Sequence, residues 1–98
     1  MRIEIIGEYE ATCTPGGDPA LVLHHVVRGY DAATLSPDVA AELRELLAVK
    51  QKRIRSLGPY QAIFGAEGDF ALYQANGRRA CYLTADQAAK LARLLSAG

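Results

Sequence analysis

The chain has 98 residues, half of them apolar, and its 11 basic side chains balance its 11 acidic ones. A chain of this length forms one domain, and this apolar content excludes intrinsic disorder. No apolar run approaches the roughly 18 residues that a membrane-spanning helix needs, and no signal-peptide pattern is present. Composition therefore predicts a single domain over residues 1–98, without membrane contact, in the cytoplasm.

The zero net charge conceals a difference between the two halves. Residues 1–49 carry eight acids and three bases, a net charge of −5, whereas residues 50–98 carry three acids and eight bases, a net charge of +5. One interpretation is that the halves pack together and mix their charges over one surface. The others are a dipolar molecule that self-associates, or one that presents a basic face to an acidic partner.

Two strands are predicted in the first half. Apolar and charged residues nearly alternate from Arg2 to Thr12, which indicates a strand with one solvated face. Leu21 to Arg28 is apolar on both faces and is typical of a central strand. The prolines and glycines between positions 14 and 19 favour a chain reversal, so the two strands form an antiparallel hairpin.

A long helix is predicted next. Ser36 is a suitable N-cap, Pro37 suits the first helical position, and Asp38 complements the positive end of the helix dipole. The apolar residues that follow at helical spacing are Val39, Leu43, Leu46, Leu47, Ile54 and Leu57. We therefore expect this helix to extend to about Leu57, where Gly58 and Pro59 would end it.

A three-stranded meander and a final helix complete the prediction. The strands cover residues 60–66, 70–75 and 78–83, joined by turns at 67–69 and at Asn76-Gly77, a strong hairpin signal. Thr84 and Gln87 have the spacing of a capping box at the start of the last helix.

The predicted element order is ββαβββα, and no internal repeat is recognised. This order favours an α+β domain in which both helices pack on one face of a mainly antiparallel, five-stranded sheet. The second face of that sheet, or one of its edges, would then be free to bind a partner.

Catalytic and metal-binding patterns are weak. Neighbouring residues on a strand point to opposite faces, so His24 and His25 cannot ligate one metal together, and no further ligand motif accompanies them. Cys13 with His24 and Asp18 could in principle form a nucleophilic site, and Glu8 with Glu10 an acid–base pair. No motif supports either, so we expect a non-enzymatic protein without cofactor or metal, and thiols that are buried rather than disulfide-bonded.

Basic and aromatic residues of the second half are the better candidates for a binding site. Lys52 and Arg55 lie on the solvent side of the predicted long helix, and Arg78 and Arg79 follow the Asn76-Gly77 turn. A basic hairpin tip can contact nucleic acid, although the same arginines could simply protect a strand edge. The calculated isoelectric point of about 6.7 argues against a dedicated nucleic-acid-binding protein.

Tyrosines on a sheet face, flanked by arginine, are typical of protein-binding surfaces. Tyr73 fits that description, because it is on the face of its strand opposite Phe70 and Leu72, and Tyr82 is on the next strand of the meander. The alternative is that these tyrosines are ordinary amphipathic cover for the sheet. The leading prediction is therefore a small protein-binding regulator, inhibitor or adaptor, of the kind found in phages or mobile elements and capable of forming a homodimer. The alternative is a regulator that binds nucleic acid. The predicted partner-binding residues are Lys52, Arg55, Tyr73, Arg78, Arg79 and Tyr82.

Overall fold

A computed structural model describes residues 1–96 of the chain and contains ten helices and strands. The last two residues of the predicted domain lie outside the described residues. The elements are β1 (Arg2–Ile6), β2 (Tyr9–Cys13), β3 (Leu21–His25), β4 (Tyr30–Leu35), α1 (Pro37–Leu47), β5 (Arg53–Leu57), β6 (Tyr60–Phe64), β7 (Phe70–Tyr73), β8 (Arg79–Leu83) and α2 (Ala85–Ser96).

These strands form two antiparallel sheets, each of four strands in chain order. The first sheet is β1-β2-β3-β4 and the second is β5-β6-β7-β8. The α+β class is confirmed, but the predicted five-stranded sheet and the order ββαβββα are wrong. The observed order is ββββαββββα.

The two halves of this order repeat each other in detail. In both sheets the register shifts by one residue between the third and fourth strands, leaving Ala32 of β4 and Ala80 of β8 without a direct partner. Ser36 and Thr84 then occupy the same place at the start of α1 and α2. The chain is thus built from two copies of a ββββα unit.

The amino-acid sequence carries the same repeat, contrary to the expectation that it has none. Residues of the strands recur with an offset of 51, 49 or 48 positions, and residues of the helices with an offset of 48. The identical pairs include Arg2/Arg53, Ile3/Ile54, Gly7/Gly58, Tyr9/Tyr60, Ala11/Ala62, Leu23/Leu72, Leu35/Leu83, Asp38/Asp86, Ala40/Ala88, Leu43/Leu91, Leu46/Leu94 and Leu47/Leu95.

The two units exchange contacts. The helices α1 and α2 pack on each other; α1 also contacts β5 of the second unit, and α2 contacts β1 and β2 of the first. The Tyr60 hydroxyl accepts a hydrogen bond from the Thr34 N–H on β4, at 3.1 Å. At the equivalent position, the Tyr9 phenol is near the backbone of Tyr82 on β8. The units therefore share one core.

The predicted first strand is in fact a hairpin. Gly7 has a φ of +62°, a left-handed conformation that glycine adopts without steric cost, and the chain reverses there between β1 and β2. The strand that the sequence predicts from Leu21 to Arg28 ends in the structure at His25. The sequence pattern does not predict β4. Its sequence, YDAATL, has little apolar alternation, so only its likeness to the end of β8 could have revealed it.

Helix α1 ends ten residues earlier than predicted. Its C-terminal carbonyl groups are bonded by Arg53, whose guanidinium donates to the Leu46 oxygen at 2.8 Å and lies 5.7 Å from the centre of the Phe64 ring. Arg53 begins β5, which pairs with β6 along its whole length. Ile54 and Leu57 thus continue the helical spacing of apolar residues by chance, since both are on strand β5. Ile54 is 58% exposed.

Several local predictions are confirmed. The Ser36 hydroxyl accepts from the Val39 N–H, and Thr84 and Gln87 form a reciprocal capping box. The turns at 67–69 and Asn76-Gly77 both join antiparallel strands. Cys13 and Cys81 are buried free thiols. In residues 1–96, no helix has both the length and the apolarity to cross a membrane.

Replacing Arg53 by Met tests its role at the end of α1. Met retains an apolar stem against Phe64 but cannot donate to Leu46, so Arg53→Met is expected to lower the free energy of unfolding by about 1–2 kcal/mol. Arg55→Met on the same strand is the control, because the Arg55 side chain is exposed. Urea denaturation of dilute protein measures both; equal values would show that Arg53 is dispensable for the helix end.

Gly58 tests the contact between units. It has a φ of +57°, and a Cβ atom there would lie 2.8 Å from the Val39 Cγ2 on α1. Gly29 has a φ of +76° with open space around it. Gly29→Ala should therefore cost only the backbone strain, about 1 kcal/mol, and Gly58→Ala about 2–4 kcal/mol. Thermal denaturation distinguishes the two; a smaller loss in Gly58→Ala than in Gly29→Ala would contradict the tight contact.

Candidate nucleic-acid interface

The second sheet has one face toward the helices and one toward solvent. On the inner side, Phe64, Phe70 and Leu83 lie in register and are buried. On the outer side, one row across the four strands is Ile54, Ile63, Ala71 and Tyr82, and the next is Ser56, Gln61, Tyr73 and Arg79. The prediction that Tyr73 faces away from the helices agrees with this arrangement.

A shallow groove of about 300 Å³ crosses this outer face. We call its five outermost side chains the tyrosine face, and they are Lys52, Ile63, Tyr73, Arg79 and Tyr82. Four strands or their ends contribute to it, so the flat sheet holds these side chains at fixed spacing. Ile63 and Tyr82 are 41% and 40% exposed, which leaves an apolar and aromatic surface open to a ligand.

Contacts within the tyrosine face orient the Tyr82 ring. The Arg79 guanidinium carbon lies 5.8 Å from the ring centre, in cation–π contact. The Tyr82 hydroxyl donates to the Asp69 carboxylate at 3.3 Å. Desolvation and the nearby Asp69 charge raise the pKa of Tyr82, so its phenol stays protonated and continues to donate. The ring is thus held with an edge toward Asp69 and a face toward Arg79.

The basic side chains around this face are not neutralised inside the protein. Among residues 1–96, the basic side chains within 4.0 Å of a carboxylate oxygen are the two histidines, and no Lys or Arg side chain is this close to one. Arg79 and Lys52 therefore retain their full charge for a ligand. The acidic group at the groove is Asp69, which is engaged with Tyr82.

The other two predicted basic residues lie apart from the groove. Arg78 lines a neighbouring pocket of about 350 Å³ with Arg28, Tyr30, Gln74 and Arg79, where the two units meet. Arg55 is on the helix side of edge strand β5, opposite Ala62. Four of the six predicted residues thus lie on the tyrosine face, Arg78 extends it, and Arg55 belongs to a separate edge.

Sequence reasoning missed Ile63 and Arg28 as neighbours of this site. Ile63 was counted only as part of a strand, and Arg28 was placed at the end of a central strand in the other half. The internal repeat indicates both residues. It aligns the β3–β4 turn, which contains Arg28, with the β7–β8 turn, and it places Ile63 on the outer face of β6.

The outer face of the first sheet differs from the second at the equivalent positions. His24, Asp31 and Thr34 replace Tyr73, Arg79 and Tyr82. The His24 Nδ1 and the Asp31 carboxylate are 2.9 Å apart, so this face has a histidine–carboxylate hydrogen bond where the second has an unpaired arginine. The two units share a fold but present different chemistry.

His25 is buried on the opposite side of β3 from His24, as the alternation of a strand predicts. Its Nδ1 accepts from the Arg28 N–H at 3.2 Å, and its Nε2 lies 3.1 Å from a Glu8 oxygen. Because Nδ1 accepts from Arg28, the nitrogen that donates to Glu8 is Nε2. The ring also stacks on Tyr30, so His25 orders the β3–β4 turn.

The structure does not bring together the catalytic groups considered from sequence. Cys13 is on the inner face of β2 opposite Leu21, whereas His24 is on the outer face opposite Glu10. Glu8 lies in the first turn against His25, away from Glu10. In the described part of the chain, no group of three or more His, Cys, Asp or Glu side chains is arranged to hold a metal ion.

Comparison with protein-family models, curated proteins and solved structures yielded no match to the chain. The interpretation of this surface therefore depends on its own geometry and charge.

The Cys81 thiol, in the core beneath the second sheet, gives a pH-dependent prediction. Burial raises its pKa to about 12 from 9.0. The thiol thus favours the folded state below pH 9, and this contribution is lost as the pH rises from 9 toward 12 because the unfolded chain releases the proton first. The loss is about 1.4 kcal/mol per pH unit within that window.

Urea denaturation at pH 8 and at higher pH measures this effect. Tyr9, whose pKa is raised mainly by desolvation, contributes in the same direction. The Cys81→Ala variant should therefore show a smaller alkaline loss of stability than the wild type. Equal losses in the two proteins would contradict burial of the thiol.

Proposed function

We propose that this protein binds single-stranded nucleic acid on the tyrosine face. The observation that supports this most directly is the grouping of the exposed Tyr82 ring and the half-buried Tyr73 ring with two unpaired cations on one open sheet surface. Unstacked bases pack on aromatic rings, and lysine and arginine contact the phosphates between them. Arg28 and Arg78 continue the positive charge past the groove, along the path that a strand leaving Arg79 would take.

A single strand fits this surface better than a duplex. Tyr73 and Tyr82 are spread over a flat sheet, so they can stack only on bases that are already exposed. Both rings are on paired strands within the sheet, β7 and β8, and not on a helix that could enter the major groove. The balanced net charge implies moderate, salt-sensitive affinity, since most of the cations near this surface come from the second unit.

Binding of a protein partner is the second candidate, and it is the one that the sequence favoured. Exposed Ile54 and Ile63 beside Tyr82 support it, because apolar and aromatic side chains form the centre of protein interfaces. The grouping of Lys52 and Arg79 with the tyrosines favours nucleic acid instead. A small cytoplasmic regulator, of the phage or mobile-element kind, is compatible with either activity.

Fluorescence anisotropy with labelled single-stranded DNA and RNA oligonucleotides at low salt tests the proposal. Tyr82→Ala and Tyr73→Ala should each weaken binding by about fivefold to a hundredfold, since one stacked base contributes about 1–3 kcal/mol. Arg79→Glu should weaken it and reduce its dependence on salt. Tyr73→Phe retains the ring and should bind within a few fold of the wild type.

The internal repeat provides matched controls. Thr34→Ala and His24→Ala change the equivalent positions of the first unit and should leave oligonucleotide affinity unchanged. No binding by folded wild-type protein at low salt would refute the proposal. Equal losses in the two sets of variants would place the site elsewhere. A protein partner that is captured without nucleic acid, and released by Tyr82→Ala, would favour the second candidate.

A further inference from the structure

The outer edges of the two sheets are free and carry opposite charge. Strand β1 pairs only with β2, and β5 pairs only with β6, so each leaves one side of its backbone unpaired. The remaining edge strands, β4 and β8, are contacted by Tyr60 and Tyr9 of the other unit. Free strand edges are sites for pairing with another chain unless charge, proline or a covering segment blocks them.

Charge on these two edges disfavours pairing of like edges but not pairing of β1 with β5, and both edges expose apolar side chains. Ile3 and Ile5 on β1 are 56% and 57% exposed, and Ile54 on β5 is 58% exposed. Neither strand contains a proline. The charged residue at the centre of β1 is Glu4, and its equivalent on β5 is Arg55. Both lie on the helix side of their sheets, in register with buried Ala11 and Ala62 respectively.

We propose that β1 of one copy of this chain pairs antiparallel with β5 of a second copy, with Glu4 opposite Arg55. Directly opposite residues lie on the same face of a sheet, so this register places Ile5 opposite Ile54 on the outer side. In this register the helix-side residues of β1 lie opposite the helix-side residues of β5, and the outer residues lie opposite each other. A slip of one residue would move every side chain to the wrong face.

Charge selects this pairing over the alternatives. Pairing β1 with β1 in the same register would place Glu4 against Glu4, and pairing β5 with β5 would place Arg55 against Arg55. Like charges directly opposite each other are destabilising. A two-residue slip would place Glu4 against Arg53, which is engaged with the end of α1, or against Leu57. Pairing of β1 with β5 is thus the arrangement that places opposite charges together and keeps each side chain on the correct face of the sheet.

The charge of the two halves extends this argument beyond the edges. Residues 1–49 have a net charge of −5 and residues 50–98 a net charge of +5. No Lys or Arg of residues 1–96 forms an ion pair with an acidic side chain within the chain, so the opposite charges are available between copies. The contact is heterologous, and copies joined this way form a ring if the geometry closes and a chain if it does not.

This inference does not depend on the proposed function. Edge pairing leaves the tyrosine face on the outside of the extended sheet, so binding of nucleic acid and self-association can be present or absent separately. Where both occur, successive copies of the chain would align their tyrosine faces along a single strand of nucleic acid.

Sedimentation velocity of the full chain, over a wide range of protein concentration at low and high salt, tests the pairing. The wild type should associate reversibly at low salt and dissociate as salt is added. Glu4→Arg and Arg55→Glu should each weaken association by about tenfold or more. An equimolar mixture of the two variants should restore it, because each reversed edge then meets an edge of opposite charge.

Glu42→Arg and Arg93→Glu are the matched controls. They make the same changes in net charge on exposed positions of α1 and α2, and they should leave association within about twofold of the wild type. Circular dichroism verifies the fold of every variant. A wild type that stays monomeric throughout would overturn the proposal, as would variants of Glu4 and Arg55 that behave like the controls, or a mixture that fails to associate.

Hydrogen exchange on the wild type requires no variant. Amides of residues 2–6 and 53–57 should become more protected as protein concentration rises, whereas those of β4 and β8 should not change. If an edge variant fails to fold, this measurement decides the proposal. Concentration-dependent protection elsewhere, with none in β1 and β5, would overturn it.

Discussion

Neither ββββα unit can bury its own sheet, and the fold depends on the exchange between them. Helix α1 covers β5 of the second unit, α2 covers β1 and β2 of the first, and the two helices pack on each other. Each sheet has an apolar inner face too wide for one amphipathic helix. The repeated tyrosines reach across the boundary: Tyr60 accepts a hydrogen bond from β4, and Tyr9 lies near β8. Cooperative folding of the whole chain follows from this arrangement.

Duplication of one unit also explains how a small chain acquired two kinds of surface. Most core positions keep the same residue, although Cys13 and Leu21 of the first sheet correspond to Phe64 and Phe70 of the second. Exposed positions have diverged in charge: Glu4 corresponds to Arg55, Asp31 to Arg79, and Glu42 to Lys90. The tyrosine face thus lies on the second sheet, while the outer face of the first presents His24 in hydrogen-bond contact with Asp31.

Much of the local structure was predictable. Helix starts at Ser36 and Thr84, and the turn at Asn76-Gly77, follow from short-range hydrogen bonding and backbone preference, which depend on only a few neighbouring residues. The candidate site was predicted in part, since alternation along β7 places Tyr73 on the outer face. Arg55 was assigned to a helix surface and is instead on a strand edge, because the helical period of α1 continued by coincidence through Ile54 and Leu57.

The sequence by itself determined the α+β class, the helix N-caps, the meander of β6, β7 and β8, and the opposite charges of the two halves. Only the tertiary structure decided where α1 ends, that residues 2–13 form a hairpin, and which face each basic residue joins. Those features depend on contacts between residues far apart in the chain, such as Arg53 with Leu46 and Tyr60 with Thr34. Tertiary packing overrides weak local preferences, and for this chain the internal repeat was the long-range signal that local patterns concealed.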